Sequence, residues 1–270
     1  MITLHGTALA AEGGTDGFHA PSISDFFPPA IWFEGTIFEI TRMQLVQFLA
    51  AAVLITVLVV SARRVKLVPG RFQNVLEMIL DFVRVQIVES TMGKERGKPY
   101  LKLITTIFLT ILAFNLTGII PGINLAGTSR IGVPLLMALW VMVAYWAAGV
   151  RKHGLWGYLK ANMFPPGVPV FVYPILAPIE LLQLLIIRPG SLIIRLLANM
   201  VAGHIMLALC FLATHYLLLS AGGALAATSA ITLFGAIALT LFEVFVAALQ
   251  AFIFALLAAV YINMSLEEEH

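Results

Sequence analysis

An arginine stands in the middle of an apolar run long enough to cross a bilayer: Pro189-Gly190-Ser191-Leu192-Ile193-Ile194-Arg195-Leu196-Leu197-Ala198-Asn199-Met200-Val201-Ala202-Gly203-His204. A guanidinium cannot shed its proton to escape burial, and at the centre of a membrane helix it costs from about 3 to more than 10 kcal/mol. A cost of that size rivals the stability of a whole domain, so Arg195 needs a partner. At about 100° per residue, Ser191, Arg195, Asn199 and Ala202 share one helix face, a charge and an amide among small groups. His204 follows Arg195 by nine positions and falls on the opposite face. In the last hydrophobic segment Glu243 is a second ionisable group at membrane depth, and Gln250 lies two turns along its stripe. A histidine near a carboxylate can pass a proton near neutral pH.

The elements that must position these groups are membrane helices. Of 270 residues, 60% are hydrophobic and only 11% charged, against roughly 25% charged in soluble domains; the chain reads as a polytopic, all-α membrane protein. A net charge of +2 with basic residues scattered in short loops excludes a nucleic-acid stripe. One cysteine, Cys210, excludes an internal disulfide and a cysteine metal cluster, and no cofactor is expected.

Taken in order, residues 1–36 read as a polar outer tail, with Phe26, Phe27, Trp32 and Phe33 near its end. The remainder, 37–270, reads as a single transmembrane domain. A first span, Met43 to Val60, stops at Arg63, Arg64 and Lys66, which mark the inner side. From about 69 to 93, Phe72, Val75, Leu76, Ile79, Leu80, Val83 and Ile87 recur at helical spacing among charges, the pattern of an amphipathic interfacial helix. Leu101 to Ile120 spans again, ending in Asn115-Leu116-Thr117-Gly118 and Pro121-Gly122. Asn115 can bond a neighbouring helix or line a water path. Ile131 to Val150 returns, with Trp140, Tyr145 and Trp146 as candidate interface anchors and Arg151, Lys152, His153 and Lys160 beyond.

Two overlong segments remain. The stretch from about 168 to 219, broken by Pro174, Pro178 and Pro189-Gly190, would be roughly 75 Å long as continuous helix, and 228 to 264 roughly 55 Å, where a perpendicular crossing needs about 30 Å. They read as a strongly tilted antiparallel hairpin over about 168–264, giving about five transmembrane helices plus the interfacial one. Alternation puts the N-terminus outside and the C-terminus inside. Folding the hairpin at Gly222-Gly223 with Gln250 opposite Arg195 brings His204 and Glu243 to one level, about 13 and 10 Å toward the loop. The faces do not meet directly, so a water or a twist must join the pair. Glu180 and Gln183 lie on the inner approach to Arg195 and can line a second water path. Simpler roles stay open: Arg195 as a structural partner of Glu180 or Glu243, Gln250 as interhelical glue, His215 at the interface, Arg188 snorkelling.

The segments Ser191 to His204 and Leu249-Gln250-Ala251-Phe252-Ile253-Phe254-Ala255-Leu256-Leu257, with Glu243 upstream and Asn115-Leu116-Thr117-Gly118 in the second span, resemble subunit a of the F-type ATP synthase, the membrane stator facing the rotating c-ring. The resemblance covers most of the chain beyond residue 36. It implies Arg195 as the essential stator arginine, Asn199 and Gln250 as polar neighbours, and His204 and Glu243 in an outer half-channel. Some family members exchange the acid and the histidine. Ser191 joins the candidate proton path, with Glu180 and Asn115 as further candidates. Implied partners are the c-ring, a peripheral-stalk b-type subunit, the lipid bilayer and protons; the implied setting is a bacterial-type plasma (inner) membrane; the subunit itself makes no bond. Three other classes make different demands. An anion carrier needs inverted repeats and helices broken at mid-membrane, and no repeat is found. A haem subunit using His204 and His215 needs opposing ligands from a second helix, which are missing. An intramembrane protease needs His-Glu-x-x-His or Gly-x-Ser-x-Gly, and neither occurs.

Overall fold

The computed structural model describes residues 30–32, 40–120, 127, 128, 130–164, 169–219 and 223–267. Most of the tail expected over 1–36 lies outside them. What is described of the N-terminal region is a two-stranded antiparallel ribbon, Ala30–Trp32 against Ile40–Thr41, which the sequence reading did not anticipate.

Among the described residues six long helical segments follow, with a short turn of helix at Lys94–Gly97 between the second and third: α1 Arg42–Arg63, α2 over 71–92, α3 Leu101–Leu116, α4 Gly132–Met163, α5 Tyr173–Leu219 and α6 Gly223–Leu266. Four of them, α1, α4, α5 and α6, are long and apolar enough to cross a membrane, and α3 is a shorter apolar helix. The all-helical class and the long C-terminal pair are as the sequence indicates.

Local chemistry sets the ends. Thr41 N–H donates to Gln44 Oε1 at 2.8 Å, opening α1. Helix α2 is continuous but carries a π turn at Val83–Glu89; its second half buries Val83, Ile87, Val88 and Met92 while Phe72, Val75 and Met78 stay exposed. Gly93, at φ 76°, ends it in the left-handed region. Helix α3 stops at Leu116 rather than Ile120. There the Gly127 N–H bonds Phe114 O at 3.1 Å and Thr117 Oγ1 at 3.2 Å, so a loop and a hydroxyl take over the helix-end groups. Helix α4 runs past Val150, then bends at Gly154, φ 72° and ψ 165°. Beyond the bend Tyr158 lies against Gly149, where a β-carbon would collide with its ring. Tyr145, read as an interface anchor, is instead fully buried, whereas Trp140 is exposed.

Helix α6 is the centre of the bundle. Ala247, Ala251, Ala255, Ala258 and Ala259 are all fully buried, and this stripe of small residues lets α3, α4 and α5 approach closely; in lipid, such packing rather than apolar burial drives association. Residue pairs across α5 and α6 run in opposite senses: Arg188 with Tyr261, Asn199 with Gln250, His204 with Glu243, Thr214 with Thr232. The hairpin is therefore antiparallel, with Gln250 opposite Asn199, one turn from the level of Arg195 at which the sequence reading set it.

The prolines do not break α5. Pro178 and Pro189 both sit inside it. Ahead of Pro189 the helix widens into a π turn, Gln183–Ile187, in which the Arg188 N–H reaches back to Gln183 O. A proline lacks an N–H and crowds the preceding turn, and a π turn is one way to absorb this without leaving the helix.

Candidate functional site

Polar side chains that apolar helices would exclude gather along the α5–α6 seam. His204, 8% exposed, and Glu243, 5% exposed, come together with Nδ1 3.2 Å from Oε1. The contact is direct, and the bridging water or twist that face arithmetic demanded is not needed. Gly203 is the reason: a β-carbon there would lie 2.5 Å from Glu243 Oε1, so the carboxylate occupies the space that any other residue would fill. His204 Nδ1 is also 3.0 Å from Met200 O, and as a donor to that carbonyl it leaves Nε2 the basic nitrogen. His204 Nε2 and both Glu243 oxygens are buried without a hydrogen-bond partner among the described residues.

One turn nearer Arg195, Asn199 Nδ2 donates to Gln250 Oε1 at 2.9 Å, and Gln250 Nε2 is buried without a hydrogen-bond partner among the described residues. An open cleft of about 320 Å³ runs beside these groups, lined by Asn199, Gly203 and Glu243 among apolar side chains such as Met206, Phe242 and Leu249. Unpaired buried polar atoms beside a roomy polar-edged cleft are where ordered water is stabilised.

Arg195 is half-buried, and no carboxylate among the described residues lies within ion-pair distance of it. It pairs with neither Glu180 nor Glu243, so the in-chain structural role left open by the sequence is not met. Glu180 is half-buried in the N-terminal part of α5. Ser191, also half-buried, donates to Arg188 O at 2.9 Å and is thus engaged with its own backbone. Asn115 is fully buried; it accepts from Thr128 Oγ1 at 2.7 Å and reaches Ala247 O on α6 at 3.5 Å, which realises the helix-bonding alternative. His215 is exposed near the C-terminal end of α5.

Three participants were missed. Arg188 does not snorkel: it is 8% exposed, with its guanidinium 5.7 Å from the centre of the Tyr261 ring. Gly203 carries no sequence signal beyond standing next to His204. Tyr145 donates through its hydroxyl to Leu184 O at 2.7 Å, inside the π turn; a tyrosine in an aromatic-rich span looks the same whether it anchors or caps.

The model of the family described as the ATP synthase A chain matches residues 44–263. The ATP synthase subunit a of Rhodococcus erythropolis (strain PR4 / NBRC 100887) is 43% identical over 269 residues, covering 99% of this chain and 96% of the relative. The chain belongs to the ATP synthase subunit a family. Relatives bearing the same name in Parafrankia sp. (strain EAN1pec), 39% identical over 92% of this chain and 84% of the relative, and in Myxococcus xanthus (strain DK1622), 38% over 86% and 74%, extend the match. As a subunit a, this is a multi-pass membrane protein of a bacterial ATP synthase, the proton-conducting stator of the membrane sector and not its catalytic part. The matched residues take in all but the first two positions of α1 and all but the last three of α6, so the seam lies wholly within them.

Proposed function

We propose that this subunit a carries protons through two offset aqueous half-channels, with His204 and Glu243 in the outer one and Arg195 as the fixed charge between them. A proton enters past His204 and Glu243, reaches the level of Asn199 and Gln250, and neutralises a carboxylate on a c-ring, which then turns into lipid. After nearly a full rotation the carboxylate loses its proton into the inner half-channel, which Glu180 borders, and meets Arg195. The guanidinium lowers the carboxylate pKa by opposite charge and, being permanently positive, bars a direct leak. Each proton contributes about 2.3 kcal/mol per 100 mV, so several are required per ATP.

The observation that carries this reading is the contrast along α5: a buried His–Glu pair made within the chain, and a half-buried arginine that meets no carboxylate among the described residues. The c-ring is the partner that completes it. A peripheral-stalk b-type subunit is the second; only 6% of the most apolar window of α1 is buried, which leaves room for another membrane helix. The basic clusters after α1, after α2 and at the α4 bend support an outer N-terminus and a cytoplasmic C-terminus in the plasma membrane. The exposed Phe72, Val75 and Met78 of α2 support an interfacial position for that helix, and the length of α5 and α6 supports a strong tilt of the hairpin. An anion carrier would break its helices at mid-membrane; α5 and α6 run through. The test is Arg195→Ala in the assembled complex. Proton-driven ATP synthesis is expected to vanish while the complex still assembles, and coupled synthesis near the parent rate would refute the assignment.

A further inference from the structure

Two turns before Arg195 the backbone ladder of α5 has a gap. Within the π turn the Arg188 N–H bonds Gln183 O, five residues back. The next N–H in that ladder would belong to residue 189 and would meet Leu184 O, but residue 189 is proline and has none. Leu184 is buried, and a buried carbonyl at membrane depth finds no water to satisfy it. The hydrogen comes from another helix: Tyr145 Oη on α4 donates to Leu184 O at 2.7 Å. The phenol is held there by its own surroundings. Tyr145 is 1% exposed and meets the Tyr261 ring of α6 edge-on, 6.1 Å between centroids, while Arg188 lies over the same ring. Three helices thus converge on one turn.

A π turn holds one residue more than an α turn, so the helix beyond it is set back by about 100° relative to an uninterrupted one. Every side chain from Arg188 onward, Arg195 included, takes its direction from that turn. We propose that Tyr145 is a positioning residue for Arg195: its phenol stands in for the N–H that Pro189 lacks, keeps the π turn in place, and so sets the rotation at which α5 presents the guanidinium. The effect on coupling rests on the role proposed above for Arg195; the effect on helix rotation does not.

The substitution Tyr145→Phe removes one oxygen and keeps the ring, and Pro189→Ala returns an N–H to the position facing Leu184 O. Both are made in the intact complex with Cys210→Ser and a reporter, Ala198→Cys, exposed on α5; labelling by a water-soluble maleimide and ATP-driven proton pumping are measured. Tyr145→Phe is expected to change the labelling rate several-fold and cut pumping roughly tenfold, as displacement of a reacting group does. Adding Pro189→Ala should return both toward the parent values, which no loss of ring packing would allow. Labelling and pumping at parent levels in Tyr145→Phe overturn the proposal, as does a loss that Pro189→Ala leaves unrelieved. Labelling that shifts and reverts while pumping never changes keeps Tyr145 in its positioning role and refutes the one given to Arg195. Should Tyr145→Phe fail to assemble, Tyr145→Phe with Pro189→Ala must assemble if the missing N–H is the cause.

Discussion

Arg195 and His204 are nine positions apart on one helix, and the chain treats them in opposite ways. Around His204 it gathers a carboxylate at 3.2 Å, a backbone carbonyl at 3.0 Å, and a glycine that makes room for the carboxylate. Around Arg195 it provides no acidic partner among the described residues. Both are ionisable groups at membrane depth, where an unmatched charge is expensive. On the roles proposed above, burial and partnership go together where a group serves inside the protein, and are both withheld where it serves a passing surface.

The comparison predicts different defects at its two poles. Arg195→Ala should abolish coupling but leave passive proton flow through the membrane sector, whereas His204→Ala and Glu243→Ala should each cut passive flow by about a hundredfold, the scale of a lost proton-transfer group. Passive flow is read in membranes stripped of the catalytic sector. A double variant no worse than either single would show one shared path; additive losses would mean that the two side chains serve separate routes and would undo the pairing. A smaller effect is expected at Gly203. A β-carbon there meets only the mobile end of Glu243, so Gly203→Ala should change thermal stability of the complex little while reducing passive flow several-fold; unchanged flow would mean that the position of the carboxylate does not matter. The smallest concerns Thr214, which donates to Thr232 Oγ1 at 2.9 Å and accordingly ties the loop ends of α5 and α6. Thr214→Val should cost about 1 kcal/mol or less and leave flow intact. Flow lost to the degree seen with His204→Ala would extend the polar path to the hairpin loop.

Much of this was legible in the sequence. The spans, the amphipathic helix, the hairpin and the polar residues along its seam follow from apolar run length, helical spacing and the cost of charge in lipid. The pairing of His204 with Glu243 at one level could be counted from the rise per residue. Its directness could not, because contact depends on the side chain that Gly203 lacks and on a register one turn from the assumed one; a single turn is within the freedom of a loop at Gly222-Gly223. Pro189 reads as a break because a proline usually ends a helix. It does not do so here because the missing hydrogen is supplied from α4, and no pattern within α5 reports a donor on another helix. Arg188 was misread for a related reason: its ring partner, Tyr261, lies 73 positions away in the sequence.

The same long reach has a consequence for how the protein is made. Asn115 reaches Ala247 O across 132 positions, Lys152 reaches Leu266 O across 114, and Tyr158 meets Ser265 Oγ across 107. In each pair the second residue belongs to α6, which leaves the ribosome after α3 and α4. Helices α3 and α4 therefore leave the ribosome before the α6 surface that they pack against, and the buried stripe of alanines meets them only afterwards. A nascent chain halted before α6 would hold most of the spans but lack the helix on which α3, α4 and α5 all pack.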